Sequence, residues 1–548
     1  MKRFLLFFAV ALMFVATGSA CTNFLVGKKA SSDGSVFISY SADSYGLSGF
    51  IAHFPAAVHP AGAMRDVYDW DSGVFLGQIA EASVTYNVLG NINEHQVAIG
   101  ETTFGGRPEL VDTTGIIDYG SLIYITLQRS KTAREAIDVM TSLVAEYGYY
   151  SSGESFSIAD PNEAWILEMI GKGGKEKGAV WVAIRIPDDC ISAHANQARI
   201  RKFDMNDKEN VRYSKDVIKF ARKMGYFDGK DADFDFADAY CPADFGGLRY
   251  CDARVWSFFN MFADADMSKY IAWASGDATA EPMPLYFKPK APMSLQDVQR
   301  GMRDHYEGTP FDITQDIGAG PYNTPYRVSP LSCEVDGKTY FNERPISTFQ
   351  TAFTFVAQLR SFMPNAVGGV MWYGTDDSNM VVYTPVYCCA TTVPDCYARA
   401  YADPVEFSWK SSFWVFNWVA NMIYPKYSMV IDDMRQVQGK LEKSIYEQSL
   451  ALEKEVLEVA KVSPKYAVQL LTDFTCSSGE YALEEWKKFG EKVIVKYNDF
   501  VVKSEKDGKV EHSKTGLVGK MSRPGYSKEF WRSIAEQTGD RYLMPEAK

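Results

Sequence analysis

Histidine is scarce in this chain: there are six in 548 residues, and only His53 and His59 lie near each other. No CxxC pair and no Cys/His cluster with ligand spacing accompanies them, so neither a zinc site nor any other metal or cofactor is expected. Basic residues are outnumbered 57 to 69, the formal charge is −12, and no basic cluster stands out. That balance excludes nucleic acid as a partner. Past the N-terminal segment no apolar run reaches the roughly 18 residues a membrane helix needs, so the mature chain should carry no membrane span. Internal repeats and low-complexity segments are also missing. What remains is a globular composition, 46% hydrophobic and 23% charged, long enough for a large core and nominally three domains.

The N-terminal segment is different in kind. A short basic tip, Lys2-Arg3, precedes an apolar run from Phe4 to Val15, and Gly18 and Ala20 place small residues at −3 and −1 of a cleavage site. This is the pattern of a secretory signal peptide over residues 1–20. Its removal leaves 528 of the 548 residues, takes the formal charge from −12 to −14 and makes Cys21 the new N-terminus. A periplasmic or extracellular location is expected. An N-terminal cysteine offers a nucleophilic thiol and a free α-amine that can accept the proton, so one residue supplies nucleophile and base.

Two plainer readings compete. Cys21 could be a lipidated lipoprotein cysteine, which would make the chain a surface-anchored binding protein, although Gly18 stands where that processing wants an aliphatic residue. It could also be an ordinary buried or disulfide cysteine of an exported protein. The other eight cysteines, Cys190, Cys241, Cys251, Cys333, Cys388, Cys389, Cys396 and Cys476, are even in number. That permits pairing without establishing it.

Along the mature chain, segments 22–27 and 35–40 are apolar and are joined by 28–34, with Asp33-Gly34 as the turn; this predicts a β-hairpin with Cys21 at its start. Further strands are predicted at 96–102, 121–128, 155–159, 164–170 and 179–186. One helix is clear. Thr132 and Glu135 form a capping box, and Ala133, Ala136, Ile137, Met140, Leu143, Val144 and Tyr147 keep the 3.6-residue period until Gly148. Helices are also predicted at 295–306 and 348–361. After Pro425 a long amphipathic helix runs through Val430, Met434, Val437, Leu441 and Ile445 and stops before Pro464. A Lys/Glu-rich tail follows, with Trp486, Phe489 and Trp531 as aromatic anchors. The pattern predicts an α+β fold of layered sheets covered by helices, with a main domain over 21–424 and a helical C-terminal extension over 425–548.

The run Cys21-Thr22-Asn23-Phe24-Leu25-Val26-Gly27-Lys28-Lys29-Ala30, followed by Asp33-Gly34-Ser35 and Ser41-Ala42-Asp43, resembles the opening of the bacterial dipeptidase A family of cysteine peptidases, relatives of the secernins. The resemblance continues through Asn91-Ile92-Asn93-Glu94-His95-Gln96-Val97-Ala98, Glu168-Met169-Ile170-Gly171, Arg185-Ile186-Pro187-Asp188-Asp189 and Met302-Arg303-Asp304-His305-Tyr306-Glu307-Gly308-Thr309-Pro310. It covers about residues 21–440, and the order and spacing of the motifs carry it.

The resemblance implies an N-terminal-nucleophile hydrolase with an αββα sandwich, acting on dipeptides. Penicillin V acylases and bile salt hydrolases are more distant kin, so an amidase acting on N-acyl substrates is the alternative enzyme. Carried over by motif, Asp43 is the aspartate that orients amine and thiol. Asn196, in Ala193-His194-Ala195-Asn196, helps form the oxyanion site, and Arg254, in Asp252-Ala253-Arg254-Val255-Trp256, is the late catalytic-site arginine. Tyr40 and Thr102 stand where the acylases have an arginine and an asparagine. Glu168 and His95 fit equally well as polar residues beside strands and receive no role. A homo-oligomer is left open. The implied chemistry needs no histidine, because an α-amine (pKa about 7.7–8.0) and a thiol (about 8.5) can exchange a proton at small cost near neutral pH.

Overall fold

The computed structural model describes residues 21–174 and 176–546; the predicted signal peptide lies outside the described residues. Among them two large antiparallel sheets dominate. One runs, edge to edge, Tyr286–Phe287, Ile191–His194, Asn23–Val26, Val36–Asp43, Thr351–Leu359, Gly369–Thr375 and Thr384–Tyr387. The other is nearly a meander: Val211–Tyr213, Ala179–Ile186, Ala164–Gly171, Gly153–Ala159, Ala98–Gly105, Ile92–Asn93, Val88–Leu89 and His53–Phe54. The sheets face each other, with Val36–Asp43 packed on Ala98–Gly105 and Gly153–Ala159. Helices Tyr119–Leu127 and Ala133–Tyr147 cover the second sheet. Helices Ala253–Phe262, Leu295–Met302, Ser412–Ile423, Tyr427–Ala460 and Pro464–Tyr497 cover the first. The fold is α+β, as expected, in four layers.

The period-2 alternation of a strand divides residues between two cores. In Ala164–Gly171, Trp165, Leu167 and Met169 join the core under the helices, whereas Ile166 and Ile170 lie in the larger core that includes the space between the sheets. Because both faces are buried, the sequence there is an almost unbroken apolar run. The predicted hairpin forms, with Leu25 opposite Ile38 and Val26 opposite Phe37. At its turn the Ser35 N–H donates to Asp33 (2.9 Å) and Gly34 takes φ +82°, a conformation glycine adopts without Cβ strain.

Several expectations need correction. Segment 121–128 belongs to a helix, Tyr119–Leu127, whose first N–H groups are capped by the Asp118 carboxylate (3.1 Å to Gly120 N, 3.3 Å to Ser121 N). Residues 122–127 are all buried, so the run has no polar face to reveal a helical period. Segment 348–361 is a strand, Thr351–Leu359, held centrally between Val36–Asp43 and Gly369–Thr375; its β-branched and aromatic content favours that outcome. The helix expected over 295–306 ends at Met302. At Ala133–Tyr147 the Thr132 side chain caps Glu135 N, but Glu135 accepts from Lys131 N, so only half the capping box closes.

Beyond Pro425 two 34-residue helices, Tyr427–Ala460 and Pro464–Tyr497, form a hairpin. Trp486 is buried and stacks on Phe416 at 4.9 Å; Trp531 is 53% exposed and anchors nothing in the core. Arg360 binds Glu453 of the first long helix through two bonds (2.9 and 2.7 Å), both side chains buried. All nine cysteines are free thiols, so the eight that could have paired form no disulfide.

Candidate active site

Cys21 sits at the start of the central hairpin, where Thr22 bridges to Ser41. Its thiol lies 3.5 Å from Glu101 Oε1 and 3.8 Å from the Tyr40 hydroxyl, and the backbone N–H of Asp43 is directed at it. Burial, then the charges of Glu101 and Asp43, push the thiol pKa well above its usual value; the Asp43 N–H and Tyr40 hydroxyl act in the opposite sense. Thiolate formation in this geometry is therefore costlier than free-solution values imply. The two sheets approach closely here: a Cβ on Gly100 would come within 2.8 Å of Asn23 Nδ2 and 3.2 Å of Tyr40 Cβ. Glycine at this position is what lets Tyr40 and Asn23 pass.

Strand register brings the distant residues together. Asn23 pairs with His194, so the chain leaving that strand turns at Asn196 (φ 53°) beside Cys21. Asn196 Oδ1 accepts the Cys21 backbone N–H at 2.8 Å, and its Nδ2 donates to the Thr103 carbonyl at 2.8 Å. Arg254, fully buried near the start of helix Ala253–Phe262, donates to Cys21 O (2.5 Å), Thr22 Oγ1 (2.7 Å) and Asn196 Oδ1 (2.9 Å). In the full 548-residue sequence Ala20 precedes Cys21, so before any processing that nitrogen is a peptide nitrogen.

Asp43 lies in this cluster, but its carboxylate is turned to other partners: Thr351 Oγ1 at 2.7 Å, Ser41 Oγ at 3.3 Å and the Arg344 guanidinium. The bond from the Cys21 nitrogen goes to Asn196, and Asp43 meets the thiol through its backbone N–H. Asn196 likewise faces Cys21 with its acceptor oxygen, and its Nδ2 is engaged by the Thr103 carbonyl.

Thr102 bonds His194 Nδ1 at 2.8 Å, and His194 Nε2 meets Ser157 Oγ at 2.7 Å. Burial, then Arg199, lower the His194 pKa to about 3, so this imidazole is a neutral strut. Glu168 accepts from Arg199 N (2.6 Å) and Ile200 N (3.1 Å), pinning the loop that follows Asn196. His95 packs edge-on against Tyr86 (4.5 Å).

Sequence reasoning passed over two buried carboxylates, Glu101 and Glu154. They lie on adjacent strands among neighbours with no motif character, and the one charged residue in strand Ala98–Gly105, Glu101, was the available signal. Glu154 lines a cleft of about 580 Å³ together with Asp69, Asp71, Thr103, Tyr119 and Tyr150, a size suited to a small ligand. Cys21 itself lines neither this cleft, which reaches its surroundings through Thr103 and Glu154, nor a larger one of about 880 Å³ lined by Arg185, Arg201 and Lys202.

Comparison with known sequences defines the class: the chain is a peptidase. It belongs to Peptidase family C69, whose sequence model matches residues 20–440. It is similar to a "Probable dipeptidase" of Salmonella dublin, 29% identical over 410 residues, spanning 71% of this chain and 85% of that protein. "Dipeptidase A" of Lactobacillus helveticus is 26% identical over 454 residues, 79% of this chain and 86% of the relative. "Probable dipeptidase B" of Streptococcus pyogenes serotype M1 is 24% identical over 504 residues, 87% and 93%.

Proposed function

We propose that this peptidase is an exported dipeptidase of the N-terminal-nucleophile class, with Cys21 unmasked by removal of residues 1–20. The observation that carries the reading is the convergence of Asn196, Arg254 and Tyr40 on the nitrogen, carbonyl and thiol of one cysteine that follows a signal-peptide pattern.

Once Cys21 is the N-terminus, its α-amine takes the thiol proton while Asn196 Oδ1 holds the amine in place. The thiolate adds to the peptide carbonyl carbon. The tetrahedral oxyanion is met by backbone N–H donors such as that of Asp43 and by the Asn196 amide. The C–N bond then breaks, the α-ammonium gives its proton to the departing amino group, and an acyl thioester remains. Water, deprotonated by the same amine, attacks the thioester; the thiol is regenerated and the second amino acid leaves. Arg254 is a positioning residue, because its bonds go to Cys21 O, Thr22 and Asn196.

The test combines N-terminal sequencing of the active protein with a substrate panel of free dipeptides and N-acyl amino acids. A mature chain beginning at Cys21 that cleaves dipeptides is the expected result. Cleavage confined to N-acyl amino acids would make it an amidase, and a diacylglycerol adduct on Cys21 would make it an anchored protein.

A further inference from the structure

We propose that Glu101 and Glu154 form the subsite for the α-ammonium group of the substrate, so that a free N-terminus is what this site reads. The inference rests on the dipeptidase reading and gives it a recognition element.

Glu101 stands opposite Phe156, and Thr103 opposite Glu154. The two carboxylates are therefore diagonal neighbours on one face of the sheet. They are 2% and 1% exposed. Each has one oxygen in use: Glu101 Oε1 accepts from the Tyr40 hydroxyl and the Cys21 thiol, and Glu154 Oε1 accepts from Thr103 Oγ1 at 2.6 Å. The Oε2 atom of each is buried and receives no N–H or O–H from another residue; the two carboxyl groups instead hydrogen-bond each other, which requires one proton shared between them. Among the described residues no Lys or Arg forms an ion pair with either. Two buried carboxylates side by side without a cation are costly. Burial pushes both carboxyl pKa values up, and at Glu154 the neighbouring Glu101 adds to the rise.

The place of the pair relative to the nucleophile identifies the cation. In a dipeptide the ammonium nitrogen is one carbon removed from the carbonyl that is attacked, about 2.5 Å from the carbonyl carbon. Glu101 Oε1 is 3.5 Å from Sγ. A carbonyl carbon brought to the thiol thus carries its ammonium to the pair, where its N–H donors take over the Oε2 atoms and the proton shared by the two carboxyl groups is released to solvent. Glu154 faces the cleft, with Asp69 and Asp71 farther along its wall. No group of three or more His, Cys, Asp and Glu among the described residues is arranged to hold a metal ion. An ammonium at the pair also offsets the Glu101 charge that opposes thiolate formation at Cys21. N-acyl substrates lack that charge and leave the carboxylates unmatched.

The experiment uses the mature chain with Cys21→Ala, so that binding is read without turnover. Calorimetry compares Ala-Ala with propionyl-alanine, which differs only in lacking the amine. Charge-assisted bonds of this kind predict roughly ten- to hundredfold weaker binding of the des-amino ligand. Glu154→Gln added to that background should remove most of the difference, and Glu101→Gln provides a second variant should the first misfold by circular dichroism. Equal binding of the two ligands to the Cys21→Ala chain, or a difference that survives in both glutamine variants, overturns the subsite. If the unsubstituted mature chain still cleaves Ala-Ala in that event, the dipeptidase reading stands without it. If it cleaves no dipeptide, the reading itself falls and the subsite falls with it.

Discussion

The backbone nitrogen of Cys21 donates to Oδ1 of Asn196 across 2.8 Å, although 175 residues separate them. The bond exists because strand Asn23–Val26 is paired antiparallel with Ile191–His194, so the chain entering one and the turn leaving the other lie at the same end of the sheet. It ties the proposed base to the sheet and leads to the first test.

A chain that keeps Ala20 in front of Cys21 should be nearly inactive. The extra residue converts the α-amine to a peptide nitrogen with no basic lone pair, and general-base assistance is typically worth about 10²–10⁴-fold. Two chains expressed without the signal, one starting at Cys21 and one at Ala20, should show equal circular dichroism and rates that differ by at least the upper part of that range. Similar rates would mean the α-amine is not the base.

Cys21→Ala should abolish dipeptide hydrolysis with little change in stability, a Tm shift within about 4 °C. The polar contacts of the thiol are the long ones to Tyr40 and Glu101 and the Asp43 N–H directed at it. Persisting turnover would remove Cys21 from the mechanism.

Asn196→Ala should lower kcat by about 10²–10³, since it deprives the amine of its acceptor and removes the Nδ2 donor. A rise in KM alone would make Asn196 a binding residue.

Glu453→Ala should destabilise the protein by about 3–5 kcal/mol. It leaves the buried Arg360 guanidinium without its counter-charge, held only by the carbonyls of Gly368 (3.0 Å) and Val367 (2.6 Å). Chemical denaturation reads the loss; a change below about 1 kcal/mol would show that the long helix contributes little through this pair.

The Glu168 carboxyl is pushed up to about 7, chiefly by burial. A folded-state pKa above the unfolded value of 4.5 means that the folded chain holds its proton longer. The associated stability is fully present below pH 4.5 and is lost as pH rises toward 7. At about 1.4 kcal/mol per pKa unit, the swing is on the order of 3 kcal/mol. The Tm of the wild type should fall relative to that of Glu168→Gln between pH 4.5 and 8; parallel curves would contradict the shift.

Local sequence signals determined much of this protein. The Asp33-Gly34 turn, the capped helix after Thr132 and the strand pattern at 155–186 are decided by neighbours a few residues apart, and the structure has them. Cys21 was legible because its signal, small residues ahead of a cysteine, is also local. Where burial is complete on every side, local signals fail. Residues 122–127 and Thr351–Leu359 are buried almost throughout, and the few polar residues among them (Thr126, Thr351, Thr354, Gln358) mark no exposed face, so only their packing partners decide helix or strand.

The partners around Cys21 belong to the tertiary structure. Motif resemblance pointed to Asp43, Asn196 and Arg254, yet the atoms they turn toward Cys21 depend on Arg344 and Thr351 drawing the Asp43 carboxylate away and on the register that sets Asn196 beside the chain start. Glu101 and Glu154 are single polar letters on two strands about fifty residues apart. Sheet pairing alone makes them neighbours, and burial alone gives their charge a consequence, because in water two such carboxylates would scarcely interact.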